Sequence, residues 1–307
     1  DLHRLIRRQR QMCIRDSMFT TICRIGINAI DCYLCNAEEV YRELAPRFKI
    51  IGGEKSFVEF YLKFVPKLVE EIKSVMKKSG AKDIFFAGHA ERFEETFRDP
   101  YLSLCTSMVL DTWQGRALSL QGKISQIVEL WVLAKIIESI DGETLDERWW
   151  VEFMKNVPFA RVRSRVTGKI YTIFYQPTIL PHIISFIWGG KRIHLVPDIV
   201  VFEGEVERVR WGELYKVIEV GRTPLLVVEV KTGLETTEWR SPEYILKQLE
   251  EYRLRLKPQH LALTVLMGAG EFLKSQAKTL GAEVHENLLT PQGLNKFTDY
   301  LRNNVFK

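Results

Sequence analysis

Two short apolar runs in the C-terminal half of the chain carry charged residues where a buried strand would carry none. The runs cover residues 196–202 and 225–233, are rich in Val and Leu, and lie next to proline or glycine, which is the pattern of buried β-strands. Asp198 lies in the first run, and Glu229 and Lys231 lie in the second. Side chains alternate along a strand, so Glu229 and Lys231 should share one face. Because an unpaired buried charge is costly, the three charges together predict two acidic metal ligands beside a cation.

Each of these charges also has a simpler explanation when it is taken alone. Glu229 and Lys231 suit an ion pair on a strand with one solvated face, and Asp198 suits a turn after Pro197. The apolar residues that surround all three charges favour the metal site over these separate explanations.

Pro197-Asp198 followed by Glu229-Val230-Lys231 resembles the signature of the PD-(D/E)xK nuclease superfamily. The resemblance covers residues 111–307 and implies an α/β fold: a mixed central sheet with a restriction-endonuclease-like αβββαβ core. It implies that Asp198, Glu229 and the Val230 carbonyl hold Mg²⁺, which Mn²⁺ can replace, and that Lys231 assists the attacking water or stabilises the phosphate. The implied activity is the hydrolysis of phosphodiester bonds in DNA. A catalytically silent nucleic-acid-binding or interaction module of the same fold is the alternative, and a nuclease that acts on RNA is a third possibility.

Three residues on predicted helices extend the resemblance. Gln248 and Tyr252 are four residues apart, so they share a helix face, and they resemble the Q-x-x-x-Y motif of the RecB-like branch, whose helix contacts the nucleic-acid backbone. Glu129 occupies the place at which some branches supply a further glutamate near the metal. An ordinary polar helix face is the alternative for each residue. The iron–sulfur cluster of CRISPR-associated members is not expected, because no cysteine follows Cys105.

Other candidate residues give weaker signals. Arg163 lies between Arg161 and Arg165 on one predicted strand, so the three side chains share a face that could meet phosphates or simply face solvent. Cys32 and Cys35 form a C-x-x-C pair, but no second pair completes a metal site. Reduced cysteines without a metal in a cytoplasmic protein are the expectation.

Hydrophobic periodicity predicts the secondary structure around these residues. Helices are expected at 57–78, 116–140 and 242–256, the last of them capped by Ser241. Strands are expected at 82–87, 160–166, 169–174, 194–202, 225–231, 260–267 and 282–285, with a further helix from Glu271. The two strands that flank Thr167-Gly168 should form a hairpin.

The sequence also predicts the domain organisation. Residues 12–17 resemble the translated end of a transposon adapter used in sequencing libraries, so residues 1–17 are expected to be non-native, with Met18 as the natural start. Without their five arginines and two aspartates the formal net charge falls from +5 to +2, and bulk charge gives little support for nucleic-acid binding. Residues 18–110 should form a helical domain that offers a surface for a homodimer or a protein partner. No uncharged apolar run approaches 18 residues, so no membrane partner is expected.

Overall fold

A computed structural model describes residues 52–108, 113–153, 157–177, 185–206, 217–218, 221–233 and 241–307. The adapter-like segment of residues 1–17 and the Cys32–Cys35 pair lie outside the described residues. The chain divides into two compact units, one built from the described residues up to 69 and from 95 to 124, the other from residues 70–94 and those after 124. The expected domain boundary near residue 110 stays a prediction.

Helices dominate the described chain up to residue 140, which confirms a helical N-terminal region. They are α1 (Gly52–Lys78), α2 (Glu91–Arg98), α3 (Pro100–Met108) and α4 (Trp113–Ile140). In the first unit the Tyr61 hydroxyl donates to the Pro100 carbonyl at 2.9 Å. Lys123 donates to the Ser103 carbonyl and the Ser107 hydroxyl. Burial lowers the pKa of Lys123 to about 8, because desolvation disfavours its charged form.

The second unit is built on a mixed seven-stranded sheet. Its strands are β2 (Gly142–Thr144), β4 (Pro158–Ser164), β5 (Ile170–Tyr175), β8 (Ile199–Glu203), β9 (Leu226–Lys231), β10 (His260–Val265) and β11 (Ala282–Glu286). Their order across the sheet is β11-β10-β9-β8-β5-β4-β2. The strands from β2 to β9 pair antiparallel, whereas β9, β10 and β11 are parallel. The expected αβββαβ core corresponds to α4, β5, β8, β9, helix α5 (Pro242–Leu256) and β10. The α/β fold class is therefore confirmed.

Smaller elements complete the second unit. A parallel pair, β1 (Asp83–Phe86) and β3 (Arg148–Val151), forms one two-stranded sheet, and an antiparallel pair, β6 (Ser185–Trp188) and β7 (Lys191–His194), forms another. Helices α6 (Glu271–Thr279) and α7 (Pro291–Tyr300) follow β10 and β11. None of the described helices is long and apolar enough to cross a membrane.

The strand predicted at 194–202 is not continuous in the structure, which divides it between β7 and β8. β7 ends at His194 and β8 begins at Ile199, so Asp198 precedes its strand instead of lying within it. The break lies at Pro197, which has no backbone N–H to donate to a ladder. The predicted hairpin across Thr167-Gly168 is confirmed as β4–β5, and Gly168 adopts a positive φ of 69° in its turn.

Helix α5 covers the sheet beside β9 and anchors the core. Its N-cap is Ser241, whose side chain accepts from the Tyr244 N–H at 3.1 Å, and Pro242 follows at the first helical position. This confirms the predicted start of the helix. One face of α5 joins a buried apolar cluster with β9 and β10 that includes Tyr244, Leu249, Val227 and Leu263.

Candidate active site

Asp198 and Glu229 are cross-strand neighbours because of the register of β8 and β9. Ile199 pairs with Val228 in this antiparallel ladder, so the next residues outward, Asp198 and Glu229, lie opposite one another. The ladder of β5 and β8 continues past its last strand pair, since the Gln176 N–H donates to the Asp198 carbonyl at 2.8 Å. The adjacent strands β5, β8 and β9 thus bring Gln176, Asp198 and Glu229 to neighbouring positions at one end of the sheet.

Glu229 is a buried carboxylate with two side-chain partners. The residue is 2% exposed, its Oε1 lies 2.6 Å from Lys231 Nζ, and its Oε2 accepts from the Tyr252 hydroxyl at 3.0 Å. The side chain of Lys231 is 13% exposed, so the ion pair is largely removed from water. The two charges share one face of β9, as their spacing predicts, and a partnered charge is the form in which burial is tolerated.

Asp198 is tied to β9 through its side chain. Its Oδ2 accepts from the Val230 N–H at 2.7 Å. Burial first, and then the nearby Glu229 and Glu129 carboxylates, raise the pKa of Asp198 well above its ordinary range, while Lys231 and the Val230 N–H oppose the rise. The carboxyl group is therefore crowded by negative charge that one lysine does not balance.

Glu129 brings a third carboxylate to the same region from helix α4. Its Oε2 accepts from the Tyr175 hydroxyl and from Gln176 Nε2, both at 2.7 Å. Burial, with a smaller repulsion from Glu229, raises the pKa of Glu129 to about 7, although its two hydrogen bonds favour the charged form. Tyr175 has its own pKa raised by burial and by Glu129, so it remains a hydrogen-bond donor at neutral pH.

Gln176 has an unusual backbone at this point. Its φ is +43°, a region that non-glycine residues seldom adopt. With this conformation Gln176 donates two hydrogen bonds, one from its backbone N–H to the Asp198 carbonyl and one from its side-chain Nε2 to Glu129. Backbone strain of this kind is concentrated at functional sites. Tyr175 and Gln176 were not predicted as site residues, and their place at the end of a predicted strand was the signal available.

Gln248 lies on helix α5 between Tyr244, whose ring packs against Phe186 of β6, and Tyr252, which donates to Glu229. Tyr244, Gln248 and Tyr252 recur every four residues and are all buried, so they follow one helix face. Gln248 is 6% exposed, and its Oε1 has no hydrogen-bond partner among the described residues. An unsatisfied buried amide oxygen costs about 1–3 kcal/mol, which a bound donor would offset.

The structure does not bring Arg163 to this site. Arg163 is exposed on β4 and pairs with Glu143 and Ile170. Ile170 begins β5, whereas Gln176 follows its end, so the two lie about 20 Å apart along the strand. A cavity of about 760 Å³ also lies apart from the carboxylates and is lined by residues that include Asp141 and Arg165.

The ligand atoms of this site suit a hard cation by their chemistry, but the number of clustered ligands is small. Asp198 and Glu229 on adjacent strands supply carboxylate oxygens, and Mg²⁺ sites commonly use one or two carboxylates with several waters. No group of three or more His, Cys, Asp or Glu residues in the described ranges is arranged to hold a metal ion. The residues therefore fit a site with few protein ligands, while the role of Glu129 as a metal ligand stays a prediction.

Comparison with known proteins places little constraint on this chain. No family model matches it, and no curated protein matches it. A solved structure described as the crystal structure of protein VC1899 from Vibrio cholerae matches with 11% identity and a TM-score of 0.31, covering 81% of this chain. The chain spans about half, 54%, of the length of that protein.

Proposed function

We propose that this chain is a metal-dependent nuclease that hydrolyses phosphodiester bonds of DNA through a PD-(D/E)xK site. The observation that supports this most is the cluster of a buried Glu229 with the half-buried Asp198 and Lys231 at the end of two adjacent strands. The order of elements agrees with the fold that the resemblance implies. A RecB-like placement is supported by the buried face of α5, from which Tyr252 reaches Glu229.

Charge balance favours a bound cation over a silent binding module. The raised pKa values of Asp198 and Glu129 both reflect burial together with neighbouring carboxylates. A divalent cation would relieve this repulsion between the carboxylates. In a module that binds no metal, nothing would offset the cost of keeping these carboxylates close together and removed from water. Metal titration by calorimetry separates the two functions, because the silent module should bind neither Mg²⁺ nor Mn²⁺.

Each residue of the candidate site would have a separate role in the hydrolysis of the phosphodiester bond. Asp198 and Glu229, with the Val230 carbonyl, would hold Mg²⁺, which when bound lowers the pKa of water and offsets charge on the phosphate. Lys231 would place a positive charge beside the reacting phosphate and stabilise its developing negative charge. Tyr252 would fix the orientation of the Glu229 carboxylate, and Gln248, on the same helix face, would position the nucleic acid through its side-chain amide.

A cleavage assay with matched variants tests the proposal. Single-stranded, duplex and branched DNA, and RNA of the same sequences, are incubated with protein and Mg²⁺ or Mn²⁺. We expect DNA cleavage that Asp198→Asn and Glu229→Gln abolish, with folding confirmed by circular dichroism. Asp299→Asn, an exposed change on α7, serves as the control and should cleave normally. Full activity in Asp198→Asn would overturn the proposal, and cleavage of RNA alone would reassign the substrate.

A further inference from the structure

The hairpin of β6 and β7 leads directly into the candidate site. Its strands pair antiparallel from Ser185 with His194 to Trp188 with Lys191. The two-residue turn is Gly189-Gly190, with φ values of +54° and +78°, which matches the tight turn that favours a twisted hairpin. Three residues, 195–197, separate the end of β7 from Asp198, so the hairpin and the carboxylate are close along the chain.

The inner face of the hairpin is fixed to helix α5 by aromatic rings. The Phe186 and Trp188 rings lie 5.5 and 5.4 Å from the Tyr244 ring, centroid to centroid. Phe186 and Tyr244 belong to the same buried cluster as Tyr252. Tyr244 precedes Tyr252 by eight residues, which corresponds to about 12 Å along a helix. The hairpin therefore packs on helix α5 about two turns before Tyr252, the residue that donates to Glu229.

The tip of the hairpin is basic and exposed, with one cation on each face, because Lys191 lies opposite Trp188 and Arg192 lies opposite Ile187. Lys191 and Arg192 are both exposed, and neither forms an ion pair with a residue that the structure describes. Arg192 pairs across the hairpin with Ile187, which is 70% exposed. No acidic residue occurs between residues 185 and 197. Two exposed cations that pair with no acidic residue of the described chain therefore lie at the tip of the hairpin.

We propose that this hairpin is an arm that binds the phosphate backbone of the nucleic acid, through Lys191 and Arg192. The inference rests on the proposed nuclease function and extends it, because it assigns a binding surface that the catalytic residues do not provide. The separation of about 12 Å between Tyr244 and Tyr252 along helix α5 corresponds to three or four nucleotides, because the rise is 3.4 Å per base along a strand. The hairpin thus holds the nucleic acid a few nucleotides from the scissile phosphate.

The test measures the salt dependence of nucleic-acid binding by fluorescence anisotropy. All proteins carry Asp198→Asn, so that cleavage does not interfere, and the probes are labelled duplex and single-stranded DNA. Each lost phosphate contact reduces the slope of log K against log salt by about 0.9 for duplex and 0.7 for single strands. Lys191→Gln with Arg192→Gln should therefore reduce the slope by about 1.8 or 1.4, and weaken duplex binding at 0.1 M salt roughly 60-fold.

Two control proteins give the result its meaning. Lys278→Gln with Lys296→Gln removes the same charge from exposed positions on α6 and α7 and should keep the original slope. Lys191→Arg with Arg192→Lys preserves the charge and should keep it too. An unchanged slope in the hairpin variant, or an equal reduction in the Lys278 and Lys296 control, would overturn the hairpin proposal while DNA binding remains. Absence of DNA binding by the parent protein would instead count against the proposed function itself.

Discussion

Replacing Glu129 with glutamine should stabilise the protein at alkaline pH and leave it unchanged in acid. The pKa of Glu129 is raised from 4.5 to about 7 by burial and by repulsion from Glu229. A carboxyl group with a raised pKa in the folded state favours folding most when it is protonated. Its contribution is fully present below about pH 4.5 and is lost as the pH rises through about 7. Glutamine cannot ionise, so the variant avoids this loss.

The magnitude follows from the size of the pKa change. A difference of about 2.5 pKa units corresponds to about 3 kcal/mol between the two protonation states. The glutamine carbonyl can still accept from the Tyr175 hydroxyl and from Gln176, so both hydrogen bonds survive. We therefore expect the variant to exceed the wild type by about 3 kcal/mol at pH 8, or by about 6–12 °C in melting temperature for a unit of this size.

Urea denaturation at pH 4.5, 6 and 8 in the presence of EDTA measures the effect. EDTA removes divalent cations that would stabilise the ionised carboxylates. Glu283→Gln, an exposed change on β11, is the control and should show no difference that depends on pH. A stability difference between Glu129→Gln and wild type that is the same at every pH, or a variant that is weaker at pH 8, would refute the reasoning.

Two further substitutions examine the partners of Glu229. Lys231→Ala should leave metal binding measurable by calorimetry but reduce the rate of cleavage by about 10²–10³-fold, the effect of losing one electrostatic stabiliser; a rate within twofold of wild type would contradict this role. Tyr252→Phe should lower the free energy of unfolding by about 1.5–3 kcal/mol in urea denaturation, because the buried hydroxyl donates to a charged carboxylate. Tyr300→Phe, whose partly buried hydroxyl lies 3.4 Å from His260, is the comparison and should lose less.

Local patterns were enough to predict most of the core, because each element carries its own signal. Ser241 and Pro242 define the start of α5, and the alternation around Thr167-Gly168 predicts the β4–β5 hairpin. The same patterns place Glu229 and Lys231 on one face of β9, as observed. These predictions needed only side-chain periodicity and turn chemistry.

Features that depend on distant residues could not be read in the same way. Glu129 meets Tyr175 across 46 residues, and the parallel pairing of β1 with β3 joins segments more than 60 residues apart. The β6–β7 hairpin was not predicted, because each strand has only four residues and its apolar pattern is too short to stand out. The early end of the strand at Pro197 was also missed, although the proline itself supplied the reason.

The backbone of Gln176 limits which amino acids this position can accept. Glycine and asparagine adopt a positive φ most readily, but glycine has no side chain and asparagine is one methylene shorter than glutamine. Glycine would relax the backbone and leave Glu129 without its amide donor, whereas alanine would keep the strain and lose the same donor. Mutational tolerance at residue 176 should therefore be narrow: a library of all substitutions selected for folding would enrich glycine, and one selected for the intact carboxylate cluster would retain glutamine.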